Sequence, residues 1–183
     1  MSCESSRRWT GGTGKTSRRT RPGRRSTCPN VARPRSACHS APRYWTPAYV
    51  ERFVEALNRD DEFQDTAGSF SETIELRCLD TPDAEDVTAT YTFEEGRVVD
   101  VDLWIDDAPS DQMREEAVDT DAIMARATAP YDVWMQMDQG EMGATEAIAS
   151  PDYKIDGSMM QIMSNMGVFR GMMSVAADVE KTY

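Results

Sequence analysis

The chain has 183 residues, of which 32 are acidic and 20 are Lys or Arg, so its formal net charge is −12. This length allows one domain with an appendage, or two very small domains. No stretch approaches the roughly 18 to 20 apolar residues of a membrane-spanning helix, and no apolar secretory signal follows the first residues. We therefore expect a cytoplasmic protein without stable membrane insertion.

The charge is distributed unevenly along the chain. Residues 1–44 carry eleven basic side chains and one acid, whereas residues 45–183 carry nine basic and 31 acidic side chains, a net charge of −22. A body this acidic repels nucleic acid and anionic lipid headgroups. Its self-repulsion opposes folding unless salt screens it, since the Debye length is about 3 Å at about 1 M salt. This predicts a halophilic protein from a salt-rich archaeal cytoplasm, with an ordinary acidic protein as the alternative.

Residues 1–44 do not have the composition of a folded domain. After Met1 they contain no Leu, Ile, Phe or Met and one Val, which is too little apolar surface to order a segment. We expect this Arg- and Pro-rich segment to be disordered and residues 45–183 to form the folded domain. Nucleic acid is not an expected partner, because the acidic body would bind the basic arm. Whether the segment is natively translated stays open, since its composition also fits upstream G+C-rich DNA read in an unintended frame.

Two motifs within residues 1–44 are incomplete. The segment "GGTGKTS", Gly11 to Ser17, lacks the first glycine of a phosphate-binding loop, because Trp9 stands at that position, and no strand is expected before it. The cysteines lack the paired short spacing of a zinc site; the residues concerned are Cys3, Cys28 and Cys38, with His39 nearby. Neither a nucleotide site nor a metal site is expected here.

The folded part is predicted to begin with an amphipathic helix in "TPAYVERFVEALNRDDEF". Thr46 is a suitable N-cap, and Pro47 fits the first helical position. Apolar residues recur at helical spacing and predict the buried stripe: Tyr49, Phe53, Ala56 and Leu57.

Three strand-like runs follow, "ETIELRCL", "VTATYTF" and "VVDVDLWI". Each alternates apolar and polar residues, which predicts a sheet covered on one face only. In the third run the predicted inward side chains are Val99, Val101, Leu103 and Ile105. The segment "EEGR" predicts a tight hairpin turn, with Gly96 at a position of positive φ.

The rest of the chain is predicted to be mainly helical. "SDQMREEAV" can form a helix, and "DAIMARAT" is interpreted as a strand, with a helix as the alternative. "PYDVWMQMDQGEM" predicts a helix with Val133, Trp134 and Met137 facing inward. A short helical turn in "ATEAIAS" and a short strand in "YKIDG" follow, and one long helix from Ser158 closes the chain.

The order of these elements resembles the sterol carrier protein-2 type of lipid-binding domain across about residues 47–183. The similarity is carried by "FVEALNRDDEF", "TYTFEEGRVVDV" and "APYDVWMQMDQGEMGATEAIASPDYKIDGSMMQIM". It implies an α+β fold, with one mostly antiparallel sheet of about five strands and helices packed on one face. It also implies an apolar tunnel between sheet and helices for lipids, fatty acyl chains or acyl thioesters, with no catalytic residue, cofactor or metal. The acidic composition favours a haloarchaeal member.

The last predicted helix is unusual in containing six methionines among residues 159–173. A stripe at helical spacing either packs as solid core on the sheet or lines the implied tunnel. A rigid empty tunnel of about 300 Å³ would cost about 7 kcal/mol at about 24 cal/mol per Å³, so it must be filled or collapse. Flexible methionine side chains allow both. We expect the ligand-binding residues to be Trp134, Met137, Met159, Ile162, Met163, Met166, Phe169, Met173, Val101 and Leu103.

No enzyme is expected. Residues 45–183 contain no histidine, and their one cysteine, Cys78, lies in a strand-like run, so no nucleophile with a base is evident. The sequence therefore predicts a non-catalytic carrier of a lipid or an acyl or isoprenoid chain, which could deliver it to a lipid-metabolising enzyme. The alternative is a protein-interaction or dimerisation module with a solid methionine-rich core and no ligand. The oligomeric state stays open.

Overall fold

The computed structural model describes residues 7–10 and 40–183. Six strands occur in this part of the chain: β1 (Arg7–Thr10), β2 (Thr73–Leu79), β3 (Glu85–Glu94), β4 (Arg97–Asp107), β5 (Ala125–Pro130) and β6 (Lys154–Gly157). The helices are α1 (Pro47–Arg59), α2 (Asp61–Ala67), α3 (Asp111–Glu115), α4 (Tyr131–Asp138), α5 (Ala144–Ala149), α6 (Met159–Ser164) and α7 (Met166–Asp178). None of these helices combines the length and apolar character needed to cross a membrane.

All six strands belong to one sheet, in the order β1-β4-β3-β2-β5-β6. Every neighbouring pair is antiparallel except β2 and β5, which are parallel. The predicted α+β class with a mostly antiparallel sheet is confirmed, and the sheet is mixed because of this pair. A parallel neighbour requires a crossover connection, and residues 108–124 supply it by passing from β4 to β5.

Helix α1 begins as predicted, and a second helix, α2, follows it directly after Asp60. Thr46 has extended backbone geometry, and Pro47 occupies the first turn. The apolar stripe buries Tyr49, Val50, Phe53 and Leu57, with Ala56 half-buried. Asp60 then ends α1 and caps α2, since its carboxylate accepts a 2.7 Å hydrogen bond from the Phe63 N–H. This matches the preference for Asp at helix N-caps.

The β3–β4 hairpin contains a bulge that the alternation rule does not predict. Thr92 pairs with Asp100, but Phe93 pairs with Val98, so Val99 is an extra residue on β4. Val99 was predicted to face inward, yet it is 51% exposed, and the buried side chain is that of Val98. A single bulged residue reverses the alternation on one side of it. The predicted positive φ at Gly96 is observed, at 77°.

Part of the polar face of the sheet, around β2 and β5, is covered, whereas the prediction was a sheet covered on one face only. Residues 110–123, including α3, pack over it and bury Glu75, Arg77 and Arg126. Arg77 Nη2 lies 2.8 Å from Glu116 Oε2 and 3.1 Å from Glu75 Oε1. Arg126 Nη2 lies 2.9 Å from the same Glu116 oxygen. Burial is tolerated here because each charge has an opposite partner.

The opposite face carries the apolar core under α1, α2, α4 and α7. Ile74, Cys78, Ala89, Tyr91 and Leu103 are among its fully buried strand residues. The predicted inward residues of α4, namely Val133, Trp134 and Met137, are all buried. The Trp134 indole donates a 3.0 Å hydrogen bond to the Arg77 carbonyl, which fixes α4 against β2.

The predicted long C-terminal helix is two helices, separated at Asn165. The Asn165 backbone leaves helical geometry, with φ −107° and ψ 19°. Its side-chain amide donates a 2.9 Å hydrogen bond to the Gln161 carbonyl. Asn competes with the backbone for such carbonyls, which explains the break. As a result, the predicted single stripe is split, and Met159, Met160 and Met163 on α6 are 59%, 81% and 63% exposed.

Part of the segment predicted to be disordered is structured. Arg7–Thr10 form strand β1, which pairs antiparallel with residues 102–105 of β4. Tyr44 is buried, and its backbone N–H donates a 2.8 Å hydrogen bond to the Thr182 carbonyl. The folded body thus begins before Trp45. Residues 1–6 and 11–39 lie outside the described residues, and with them Cys3, Cys28, Cys38, His39 and the Gly11–Ser17 motif; a strand, β1, does precede that motif.

Candidate functional site

A cavity of about 100 Å³ lies between the sheet and the helices. Its lining is predominantly apolar and comes from β2, β3, β5 and β6 on the sheet side and from α1, α4, α5, α6 and α7 on the helix side. Ile148 of α5 contributes to the lining and is 47% exposed, so it is the lining residue nearest to bulk solvent among the large apolar ones. The other lining residues are Tyr44, Trp45, Tyr49, Phe53, Glu75, Leu76, Tyr91, Ala125, Ala127, Trp134, Met137, Asp138, Tyr153, Ile155, Ile162, Met166, Phe169, Met172, Met173 and Ala176.

Small side chains on β5 create the space. Ala125, Ala127 and Ala129 alternate along β5 and face the helices, whereas Arg126 faces the charged side of the sheet. In the parallel pairing, Ala125 lies beside Ile74 and Ala127 beside Leu76. Two methyl groups therefore occupy lining positions where a larger aliphatic residue would fill the gap to α4 and α7.

The helix side of the lining contains six of the ten predicted site residues. Trp134 and Met137 come from α4, Ile162 comes from α6, and Met166, Phe169 and Met173 come from α7. The remaining four lie elsewhere. Met159 and Met163 are exposed on α6 because of the break at Asn165. Val101 and Leu103 lie on β4, beside Tyr91 and Ala89, and lie outside the cavity lining.

One end of the cavity is aromatic, and Trp134 is its one member that the sequence predicted as a ligand-binding residue. The Trp45 and Trp134 ring centroids are 5.3 Å apart, and those of Trp134 and Tyr153 are 5.7 Å apart. Tyr44 and Tyr49 extend this cluster, with centroids 4.9 Å apart. The signal was available in "RYWTPAY", where aromatic residues recur immediately before and within α1. Tyr44 lies before residue 45, where the folded domain was predicted to begin, so it fell outside the predicted domain.

The tyrosines of this cluster stay neutral at ordinary pH. Burial raises the pKa of Tyr44 and Tyr49 well above the usual value for a phenol. Burial likewise raises the pKa of Tyr153 to about 12. These side chains therefore present uncharged hydroxyl groups and ring faces to the cavity region.

A buried ion pair lies at the same end. Lys181 Nζ is 2.8 Å from Asp138 Oδ2, and the two side chains are 3% and 2% exposed. The ammonium group lies 5.7 Å from the Tyr44 ring centroid. Tyr183 donates a hydrogen bond from its hydroxyl to the same Asp138 oxygen. Asp138 is also a lining residue, so the cavity wall contains one carboxylate of a neutral pair.

The cavity is small compared with a typical ligand pocket. Such pockets start at about 300 Å³, and an empty cavity of about 100 Å³ costs about 2 kcal/mol at about 24 cal/mol per Å³. That cost is tolerable for a domain that is stable by about 5 to 15 kcal/mol. The cavity therefore has about one third of the volume at which such pockets start.

The described residues offer little for catalysis. Within residues 7–10 and 40–183, no group of three or more His, Cys, Asp or Glu side chains is arranged to hold a metal ion. Burial raises the pKa of the Cys78 thiol, and the nearby Asp86 raises it further. A buried thiol with a raised pKa is a poor nucleophile.

Comparison with known proteins identifies the family. A search of curated proteins found no significant match. A crystal structure of sterol carrier protein 2 is similar, at 14% identity and a TM-score of 0.60, over 74% of this chain and 98% of that one. A conserved hypothetical protein from Thermus thermophilus is similar at the same identity and TM-score, over 78% and 94% of the two chains. These likenesses establish the fold. The family model of the SCP-2 sterol transfer family matches residues 54–170, and the chain therefore belongs to that family.

Proposed function

We propose that this protein binds and carries a lipid, or an acyl or isoprenoid chain, in the cavity between the sheet and the helices, without acting as an enzyme. The observation that carries the proposal is the apolar lining between Ala125 and Ala127 on one side and Met166, Phe169 and Met173 on the other. Membership of a sterol transfer family supports lipid binding in general. A lipid-metabolising enzyme is the partner to which such a carrier would deliver its ligand.

The lining allows the cavity to enlarge around a guest. Met137, Met166, Met172 and Met173 all contribute side chains to the wall. An unbranched thioether side chain repacks around different shapes with little penalty. Displacing these side chains toward the exposed margin near Ile148 would open a path for an alkyl chain. The proposed mechanism is thus a contracted cavity that expands on binding.

The proposed setting is a salt-rich archaeal cytoplasm. It is supported by the net charge of −22 in residues 45–183, because such a surface needs a high counter-ion concentration for stability.

A protein-interaction module is the second candidate. Met159, Met160 and Met163 form an exposed apolar surface on α6, which favours contact with another protein. In that case the lining would serve only as core, and lipids would not compete for it.

Two methionine substitutions distinguish these candidates. Met166 lines the cavity, whereas Met163, one turn earlier in sequence, is exposed. We expect Met166→Asp to abolish binding of a fluorescent fatty acid, because a carboxylate would face an apolar wall. Met163→Asp should leave binding unchanged. Equal binding by both variants, with melting curves showing that both are folded, would contradict the carrier function.

A further inference from the structure

Strand β4 has two edges, and the described part of the chain covers them unequally. The inner edge pairs with β3 along most of the strand, from Arg97 to Asp107. Among residues 7–10 and 40–183, the outer edge pairs only with β1, at residues 102–105. Unpaired backbone N–H and C=O groups at a sheet edge can form hydrogen bonds with an added strand. The outer edge of β4 is therefore a candidate surface for binding an extended polypeptide.

The regular part of this outer edge is residues 100–107, which we call the β4 edge. These eight residues pair with β3 in continuous register. The bulge at Val99 interrupts the register on the hairpin side, and bulges discourage strand addition. β1 pairs with four of the eight residues. The β4 edge thus has room for a strand longer than β1.

The β4 edge is strongly acidic. Its sequence, DVDLWIDD, contains four Asp residues and no basic residue. Asp100 and Asp107 are exposed, and Asp102 and Asp106 are half-buried. Like charges on neighbouring strands are destabilising and opposite charges are stabilising, so this edge repels an acidic strand and attracts a basic one. Pairing with the β4 edge of a second copy is disfavoured for the same reason.

Strand β1 shows that a strand from a basic segment fits this edge. It belongs to residues 1–44, which carry eleven basic side chains and one acid. Its backbone pairs antiparallel with β4, from Arg7 beside Ile105 to Thr10 beside Asp102. No short hairpin turn joins the two strands, because Thr10 and Arg97 are far apart in the sequence. A strand that spans all eight residues would form more backbone hydrogen bonds with the edge than β1 does.

We propose that the β4 edge binds an extended, basic segment of a partner protein by strand addition, and that residues 7–10 occupy the edge when the partner is absent. The partner segment pairs with residues 100–107 and replaces β1. Backbone hydrogen bonds supply the affinity of such complexes, and the Asp residues select for basic side chains. None of residues 100–107 lines the cavity, so the partner and a cavity ligand bind at separate places.

Two labelled peptides distinguish strand addition from charge attraction. The first alternates Arg and Thr over eight residues, with an acetylated N-terminus, an amidated C-terminus and a fluorescein label. The second has Pro in place of each Thr, which keeps the charge but removes alternate backbone N–H groups and disfavours strand geometry. In fluorescence anisotropy with the full chain, we expect the Arg–Thr peptide to bind at least about tenfold more tightly than the Arg–Pro peptide.

Hydrogen exchange locates the bound peptide. Successive N–H groups of a strand point to opposite edges, so β3 protects one alternate set of β4 amides and an added strand protects the other set. We expect the Arg–Thr peptide to slow exchange at least about tenfold at alternate amides of residues 100–107, measured by nuclear magnetic resonance. The KCl concentration is the lowest at which melting curves show a folded protein, because salt screens the attraction.

Substitutions in β1 test its competition with the peptide. Trp9→Pro with Thr10→Pro removes two consecutive N–H groups, one of which points toward β4, and leaves the net charge unchanged. We expect this paired variant to bind the Arg–Thr peptide at least about threefold more tightly than the parent, because the edge is vacated. Thr16→Pro with Ser17→Pro is the matched control. Equal affinity of the parent and the Trp9→Pro, Thr10→Pro variant would contradict the occupation of the edge by residues 7–10.

A charge reversal on the edge is the second substitution test. Asp107→Lys places a positive charge on the β4 edge, whereas Asp65→Lys makes the same change at an exposed position of α2. We expect Asp107→Lys to weaken binding of the Arg–Thr peptide about tenfold and Asp65→Lys to weaken it less than about twofold. Melting curves establish that both variants are folded. Equal weakening by the two substitutions would contradict binding at this edge.

Three further results would overturn the assignment. One is equal affinity of the two peptides, or binding of neither, for both the parent and the Trp9→Pro, Thr10→Pro variant. Another is unchanged exchange in residues 100–107 at saturating peptide. The third is a parent protein that is dimeric in analytical ultracentrifugation but monomeric after Trp9→Pro with Thr10→Pro, since the occupant would then be residues 7–10 of a second copy.

Discussion

The two faces of strand β5 show how differently the two sides of this sheet are buried. Arg126 faces one side, where it joins Arg77, Glu75 and Glu116 in a cluster of two positive and two negative charges. Ala125 and Ala127 face the other side, where they leave a cavity. On the charged side, the buried side chains form ion pairs with one another. On the apolar side, part of the volume between the sheet and the helices is not filled by side chains.

Under the proposed carrier function, this difference separates residues that stabilise the fold from residues that bind the ligand within a single strand. A buried charge cluster is destabilised strongly when one member is removed, because the remaining partners cannot be rehydrated. An apolar wall with a gap tolerates changes in volume more easily, and its free space is what a ligand would use. Substitutions on the charged side should therefore affect unfolding, and those on the cavity side should affect binding.

The largest expected effect is on the charged side. We expect Arg126→Met to lower the free energy of unfolding by about 3 kcal/mol, since the buried Glu75 carboxylate loses one of its two cationic partners, whereas Glu116 is 43% exposed and can be hydrated. Urea denaturation at neutral pH measures this change. Arg59→Ala is the control, because its ion pair with Glu55 is exposed and should contribute less than about 1 kcal/mol. An equal decrease in the free energy of unfolding for the two variants would mean that the charge cluster does not stabilise this side of the sheet.

On the cavity side, Ala127→Leu should affect binding more than stability. The added carbon atoms occupy the cavity of about 100 Å³, so we expect lipid affinity to fall at least about tenfold, or about 1.4 kcal/mol. The free energy of unfolding should change less than the roughly 1 to 3 kcal/mol that overpacking a filled core costs, because the added atoms enter existing space. Competition with a fluorescent fatty acid and urea denaturation measure the two quantities. Unchanged affinity with unchanged stability would place the ligand elsewhere.

The pH dependence of stability should also come from the charged side. Burial acts to raise the pKa of Asp86, but hydrogen bonds from Arg114 and from the backbone N–H groups of Asp80 and Ser110 outweigh it, so this pKa lies below its usual value. A lowered folded-state pKa stabilises the fold above the unfolded value of about 3.9, and this stabilisation is lost as pH falls through the folded-state value.

Asp86→Asn tests this assignment. We expect the variant to be less stable than the parent at pH 7, with the difference shrinking below about pH 4, where the parent carboxylate becomes protonated. Denaturation series at several pH values measure the difference. A gap that stays constant down to about pH 2 would show that the ionised form of Asp86 is not what stabilises this region.

Salt should distinguish the buried cluster from the acidic surface. We expect the free energy of unfolding and the refolding yield to rise between about 0.1 and 3 M KCl, because screening reduces repulsion among surface carboxylates. The cost of Arg126→Met should stay nearly constant over that range, since buried pairs are screened much less. Full stability and refolding at low salt would contradict the halophilic prediction.

Local periodicity predicted most of the elements correctly, and the errors have identifiable causes. Tyr49, Phe53 and Leu57 on α1, and Val133, Trp134 and Met137 on α4, are buried as their spacing indicates. Val99 was misplaced because a bulge is set by pairing between strands, which one strand's sequence does not reveal. The covered polar face was missed because Glu116 is far in sequence from Arg77 and is adjacent only after the crossover forms.

The candidate site was predictable only in part. Helical spacing grouped Ile162, Met166, Phe169 and Met173, but the break at Asn165 removed Met159 and Met163 from that group. Ala125 and Ala127 contribute to the cavity because their side chains are small, and small size alone does not form a sequence motif. Lys181 pairs with Asp138 across more than forty residues of sequence, so the polar end of the cavity depends on tertiary structure.

Native mass spectrometry of the protein purified from its host at high salt tests the central claim most directly. A carrier should retain a heterogeneous set of lipid masses, in amounts that fall sharply for Ala127→Leu produced in the same host. If the parent protein shows only the mass of the bare chain, or if Ala127→Leu retains the same adducts, then the space beside β5 does not hold a lipid.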